Sequence, residues 1–530
     1  MSSPRFVFRH PQNDQDGPND VPSANRVPNE VLIIIFTLVL LSEPRDATYR
    51  LHCRKSARVI VSTLFRLTHV CQRWREVITG LPHFWTRMDG ISIPLKTSMS
   101  RSQTLPLSLF VRKWWKRYLK LMADEGHRVE RLDLAITSVA GDIVSLFRFV
   151  PTVLECLTIS YSNTPTPSRM RPNVSDVQLF NGPSANLKAL AISTITDWFP
   201  SNQFPALTHL YLSFFHFVDR TTSRHLLLLL SGTPKLKYLH VDHLVGVDRD
   251  WRNPISLASL RSIVFQYGSP QAGASLLTHI QLSQSTLVRV DRFIQGEPFS
   301  IYLPRVTDSA IRLEVGAHFG VVRIVAEGRE SGLWVQGEFS SLGGSITWLH
   351  QMLSNLPLHR LTHLRIFIPW GTREVLRILS QMESLAELEM NFYTMAQAHL
   401  VCVAMCSDEP CLCPILRSIN FDICIDIEPD VHQIEPDDFH RMLADRARNG
   451  HPICRISVRL YAEWENVASE DFARRFPAWA HDDVLEVHLG DSSQQPHLFD
   501  TFWEVREAER YWDLEDAARA YSMLPWRLQR

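Results

Sequence analysis

Leu187-Lys188-Ala189-Leu190-Ala191-Ile192, Leu207-Thr208-His209-Leu210-Tyr211-Leu212 and Leu236-Lys237-Tyr238-Leu239-His240-Val241 are three copies of one pattern, apolar-x-x-apolar-x-apolar. The pattern stands earlier at Val129/Leu132/Leu134 and Leu154/Leu157/Ile159, and next at Leu260/Ile263/Phe265. After a gap it returns as Leu361/Leu364/Ile366, Leu385/Leu388/Met390, Leu416/Ile419/Phe421, Ile453/Ile456/Val458 and Val484/Val487/Leu489. The last two apolar positions of each copy alternate as a half-buried strand does. The triple alone is weak: at 45% hydrophobic content, about 0.09 of windows match by chance. The frame around it carries the argument. Pro or Ser precedes most copies (Pro151, Ser184, Pro205, Pro234, Ser259, Pro414), and helical stretches precede several, at 142–150, 223–231, 346–356, 373–382 and 439–449. Successive copies start 25, 33, 20, 29 and 24 residues apart, then after the gap 24, 31, 37 and 31.

A helix, a turn and a short strand, recurring in this way, is the logic of a leucine-rich-repeat-like solenoid. Each strand extends a parallel sheet and each helix covers its outer side. The expected fold class is therefore α/β: a small helical domain followed by a leucine-rich-repeat-like α/β solenoid, or horseshoe. The expected divisions are a disordered tail at 1–25, a helical domain at 26–90 and a linker with a basic aromatic helix at 91–128. The solenoid follows at 129–490, and a helix at 491–530 caps its open end. Between 266 and 345 the frame is lost. There Ile311–Val315 and Gly320–Val325 read as strands of divergent repeats, or the whole stretch is a non-repeat insertion.

Composition limits the function. The 55 basic and 56 acidic residues leave a net charge of −1, which argues against bulk binding to nucleic acid or an anionic membrane. The longest apolar run, Val31–Leu41 broken by Thr37, has 11 residues, against the roughly 20 that a membrane span needs. Nine scattered cysteines suggest reduced thiols, and so a cytoplasmic or nuclear setting. The GxSxG, HExxH, GxGxxG and GxxxxGK[ST] motifs are absent, so no enzyme activity, catalytic residue, metal or cofactor is expected. An enzyme on an α/β frame, built from residues distant in sequence, is a further reading that an activity screen tests.

The helical domain carries its own signature in three blocks. They are Val27-Pro28-Asn29-Glu30-Val31-Leu32…Ile35-Phe36, then Leu67-Thr68-His69-Val70-Cys71-Gln72-Arg73-Trp74-Arg75, then Leu81-Pro82-His83-Phe84-Trp85. Asn29 is the expected N-cap of the first helix, and Gly80 with Pro82 ends the second. In this order the blocks resemble an F-box, whose pattern is roughly Leu-Pro-x-Glu-(Leu/Val)-Leu-x-x-Ile-Phe, Val-Cys-(Arg/Lys)-x-Trp-Arg and Pro-x-Leu-Trp. Val27, Gln72 and Phe84 depart from that pattern. The polar stretch 42–58 lengthens the unit, as in the large fungal F-box families.

The resemblance implies a role. F-box domains dock on a small adaptor of the SCF cullin–RING ubiquitin ligase, and the remainder of the chain holds a protein substrate for ubiquitin transfer by other subunits. The positions that match the adaptor-facing motif are Pro28, Val31, Leu32, Ile35, Phe36, Val70, Cys71 and Trp74. Which of them face the adaptor and which face the domain's own core is open at this level. The alternative is a repeat-type interaction scaffold whose F-box-like unit does not dock on a ligase.

On the repeat strands, the residues between the apolar positions would meet the substrate. Candidates are Lys188, Thr208, His209, Lys237, Tyr238, Thr362 and His363. Two further clusters have bland readings. Arg112-Lys113-Trp114-Trp115-Lys116-Arg117-Tyr118 with Lys120 is expected to be an amphipathic helix with Trp115, Leu119 and Met122 inward, not a nucleic-acid or membrane site. His399, Cys402, Cys406, Cys411, Cys413 and Cys424 lack a CxxC and read as buried small hydrophobes in preference to a zinc site.

Overall fold

The computed structural model describes residues 27–41, 63–88, 93–111, 118–136, 147–161, 175–182, 184–195, 198–214, 220–247, 251–294, 307–318, 321–367, 372–392, 395–406, 411–425, 436–462, 485–489, 503 and 505–512. The chain divides into two compact units, the first ending at Leu107 and the second running on from Ser108. The tail at 1–25 and the insertion at 42–58 lie outside the described residues.

The first unit is helical. Helix Asn29–Leu41 packs beside helix Gln72–Thr79, and a 3-10 turn, Pro82–Trp85, lies beside helix Leu95–Ser102. Its core is Leu32, Phe36, Leu40, Leu64, Ile78, Phe84, Trp85 and Ile93. Two ties fix its corners. Trp85 donates its indole N–H to the Ile78 carbonyl at 3.0 Å. Arg73 donates to the Asn29 side chain at 2.9 Å and to the Val27 carbonyl at 2.6 Å. Helix Gln72–Thr79 is capped by Cys71, whose sulfur accepts from the Trp74 N–H at 3.5 Å.

The second unit is built on a large, mostly parallel sheet. Strands Val129–Ile136, Cys156–Tyr161, Ala189–Ile195, His209–Phe214, Tyr238–Asp242, Ser262–Gln266 and Leu287–Ile294 pair in parallel, each with the next. The apolar pattern sets the register. Leu132, Leu157, Leu190, Leu210, Leu239 and Ile263 align as one buried row, and Leu134, Ile159, Ile192, Leu212, Val241 and Phe265 as the next. The first apolar positions, Val129, Leu154, Leu187, Leu207, Leu236 and Leu260, are all fully buried. Crossovers join the strands because parallel neighbours cannot be linked by a tight turn. Helix Pro270–His279 packs on strand Leu287–Ile294, and helix Met395–Met405 packs on strands Glu387–Phe392 and Ser418–Ile425.

A second parallel run holds His363–Phe367, Glu387–Phe392, Ser418–Ile425, Arg455–Ala462 and Leu485–Leu489. Its last copy is shifted. Val458 pairs with Val487, where the sequence pattern pairs Ile456 with Val487. A shift of two residues preserves which side chains share a face.

Between the runs the repeat frame is broken in an unexpected way. Arg312–His318, Val321–Glu327 and Gly332–Glu338 form an antiparallel meander. Its spatial order is inverted: Gly332–Glu338 pairs in parallel with the earlier Leu287–Ile294, and Arg312–His318 with the later His363–Phe367. The two strands expected near 311–315 and 320–325 exist, but as hairpin arms. Only residues 319 and 320 separate them, too short a link for a parallel crossover.

The stretch 91–128 is more than a linker. It contains helix Leu95–Ser102, strand Leu107–Val111 and helix Tyr118–Glu125. The basic residues 112–117, with Trp115, lie outside the described residues, while Tyr118 and Met122 are buried.

Candidate interaction faces

The first helix has two apolar stripes. Leu32, Phe36 and Leu40 recur at four residues and are buried in the unit's own core. Val31, Ile34, Ile35 and Leu38 recur at three and four on the other side and are 42%, 58%, 39% and 59% exposed. Val70 is also exposed, at 58%, as is Pro28. The eight candidate positions therefore separate. Pro28, Val31, Ile35 and Val70 present themselves outward. Leu32 and Phe36 hold the fold. Trp74 is half-buried with its ring edge-on to Phe36 at 4.8 Å, and Cys71 is half-buried in its capping role. Ile34 and Leu38 complete the outward stripe without being among the eight. Their spacing from Val31 and Ile35 was the available signal.

The sheet's second face is lined by the side chains that alternate with the buried rows. Arg131, Cys156, Ala189, His209 and Tyr238 align as register partners along it. Tyr211 and His240 form part of the next row. Below them Tyr211 donates to Asp242 at 2.5 Å, and the His240 Nε2 lies 2.8 Å from the other Asp242 oxygen. Burial pushes the Asp242 carboxyl up, but His240 and Tyr211 outweigh it and hold the group below its ordinary value.

This face is occupied by the chain's own C-terminal segment. The expected capping helix at 491–530 is not what the described part shows: residues 503 and 505–512 contain one 3-10 turn, Arg506–Glu509, and run across strands in the middle of the sheet. Trp512 packs among Cys156, Ala189, Ala191 and Tyr211. Trp503 packs among Leu287, Val325 and Trp334 and donates its indole N–H to Glu327 at 2.7 Å. Between them the Glu507 carbonyl lies 2.8 Å from the His209 Nε2, and the Tyr238 hydroxyl donates to the Glu507 carboxylate at 3.1 Å. Arg131 donates to the Tyr511 carbonyl at 2.9 Å. The geometry explains why a helix fails here. Strands Ala189–Ile195 and Leu287–Ile294 are four pairings apart, about 19 Å at the usual strand spacing. Nine residues of α-helix would reach only about 13.5 Å.

Two of the expected substrate-facing residues, His209 and Tyr238, thus hold the C-terminal segment. Burial lowers the pKa of His209, with the Glu507 carbonyl opposing. Lys188 pairs with Glu155 at 2.5 Å. Thr208 and Thr362 donate to the Lys188 and Ile311 carbonyls, so both brace the turns. The Lys237 carbonyl accepts from the Arg261 N–H at 2.8 Å as part of the same turn ladder. His363 lies 3.3 Å from Glu387. Beyond the C-terminal segment's contacts, the face carries ion pairs across strands: Glu314 with Arg323 and Arg365, Arg365 with Glu389 at 3.2 Å, and Arg459 with Asp422 at 3.5 Å. Burial raises the Glu389 and Asp422 carboxyls against the pull of these arginines.

Of the cysteine cluster, Cys402 and Cys413 are buried and Cys406 and Cys411 half-buried. Burial pushes the Cys413 thiol up to about 12. Among the described residues no group of three or more His, Cys, Asp or Glu side chains is placed to hold a metal ion. Among them, too, no helix is long and apolar enough to cross a membrane.

A family model described as F-box-like matches residues 24–90, the segment that carries the outward apolar stripe. No curated protein matches the chain.

Proposed function

We propose that this chain is a substrate-recognition subunit of an SCF-type cullin–RING ubiquitin ligase. One observation carries the reading: within the F-box-like segment, Val31, Ile34, Ile35 and Leu38 form an outward apolar stripe on a unit that already has a core of its own. Four large aliphatic side chains in helical register are costly to leave in water, at about 25 cal/mol per Å² of apolar surface. A groove on the ligase adaptor would cover them, with i, i+3, i+4 and i+7 as anchors. The second unit would serve as the solenoid that presents a protein substrate to the ligase. It supplies no catalytic residue in this reading, and the cysteine usage suits a cytoplasmic or nuclear setting.

The test is capture of the adaptor by the full-length chain. Retention by the unaltered chain and loss in Ile34→Asp with Leu38→Asp supports the proposal. No retention by the unaltered chain favours the alternative, a repeat-type scaffold that does not dock on a ligase.

A further inference from the structure

The contacts of residues 503 and 505–512 have the form of a linear ligand in a groove. Two indoles nine positions apart are the anchors, both nearly buried, with Trp503 at 6% and Trp512 at 7% exposure. Each depression depends on small residues. Ala189 and Ala191 lie under Trp512. At Gly332 an added Cβ would stand 2.9 Å from the Trp503 ring. Between the anchors the segment is held through the Glu507 carbonyl and carboxylate and the Tyr511 carbonyl. A few buried aromatic anchors with sparse polar contacts between them is the pattern in which binding energy concentrates in hot spots.

We propose that this face is a binding groove for extended segments carrying two aromatic side chains about nine residues apart with a carboxylate between them, and that residues 503–512 are its resident competitor. The inference rests on the reading of the sheet face as the substrate side. Tethered to the sheet, the resident segment acts at the high effective concentration of an intramolecular ligand. A substrate of the same chemistry must displace it, so substrates with weak anchors are refused.

The test uses a fluorescent peptide with the sequence of residues 503–512, WEVREAERYW, and the full-length chain. The unaltered chain should show no saturable binding at micromolar peptide. The full-length Trp503→Ala/Trp512→Ala variant should bind it, and Gly332→Leu added to that variant should weaken binding at least tenfold. Equal binding by the unaltered chain and the double variant overturns the proposal, as does absence of binding by a double variant that still melts cooperatively. If the double variant does not fold, hydrogen exchange on the unaltered chain decides. Residues 503–512 exchanging faster than strands 189–195 and 209–214 supports a displaceable segment, and equal protection overturns it. Adaptor capture, measured separately on the same proteins, reports on the first unit alone, so either reading can fail without the other.

Discussion

Trp503 donates its indole N–H to Glu327 across 2.7 Å, joining two residues that stand 176 positions apart in the chain. Glu327 is 3% exposed. Burial pushes its carboxyl up to about 7 and the Glu314 charge adds to the push, while the Trp503 N–H pulls it down. A carboxyl whose folded pKa lies above its unfolded value binds the proton more tightly in the folded state. Its contribution to stability is full below the unfolded value and is lost as pH rises through about 7. The melting temperature should therefore fall between pH 4.5 and 7.5. Glu327→Gln keeps a carbonyl acceptor for Trp503 and removes the titration, so its slope over that window should be shallower. An unchanged slope would contradict this account.

Gly332 should tolerate no side chain. An added Cβ meets the Trp503 ring at 2.9 Å and the Ala326 carbonyl oxygen at 3.1 Å. Gly332→Ala should cost about 1–3 kcal/mol, the usual range for overpacking. Much of the clash is with the indole, so Gly332→Ala and Trp503→Ala should be strongly non-additive in a double-mutant cycle read by urea unfolding. Additive costs would mean that the ring does not sit against this glycine.

The two stripes of the first helix should separate stability from docking. Phe36 is fully buried and packs on Trp74, so Phe36→Ala should destabilise the first unit by about 3–5 kcal/mol. Leu38 is 59% exposed, so Leu38→Asp should change stability by no more than about 0.5 kcal/mol. Adaptor capture should be lost in Leu38→Asp all the same. Capture that survives Leu38→Asp and Ile34→Asp together would remove the outward stripe from the docking site.

Arg446, 1% exposed, ties three carbonyls to the end of helix Pro436–Arg448. It donates to Leu412 and Cys413 at 2.8 Å each, and to His451 at 3.2 Å. Cys413 sits at φ +49°, in the left-handed region that side chains rarely adopt, and this fork holds it there. Arg446→Met should cost about 3 kcal/mol or more, because buried carbonyls lose charged donors. Arg446→Lys should recover only part of that, since a single ammonium cannot reproduce the planar fork. Urea midpoints of the three proteins check the order.

The strands of the second unit were legible because their signal is local. A period of two places Leu190 and Ile192 on one face whatever surrounds them, and the buried rows follow it through both parallel runs. The three-block signature of the first unit was legible for the same reason. Local pattern could not decide which stripe of helix Asn29–Leu41 faces inward. Val31, Leu32, Ile35 and Phe36 are all large and apolar, so periodicity permits either side, and only packing against Leu64, Ile78 and Trp85 selects Leu32 and Phe36. Nor could it reveal the inverted meander at 312–338, because strand order depends on which distant edge a hairpin meets. The C-terminal segment shows the limit most clearly. Its apolar positions Phe502, Val505, Ala508, Tyr511, Trp512 and Leu514 read as much of one side of a helix, yet Glu507 meets His209 across 298 positions. The sequence by itself determined the strands, their shared face and the F-box-like signature. The tertiary structure decided what lies on that face, because each depression is lined from several strands, Cys156, Ala189, Ala191 and Tyr211 around Trp512 and Leu287, Val325, Gly332 and Trp334 around Trp503, and exists only once the sheet has brought those strands together.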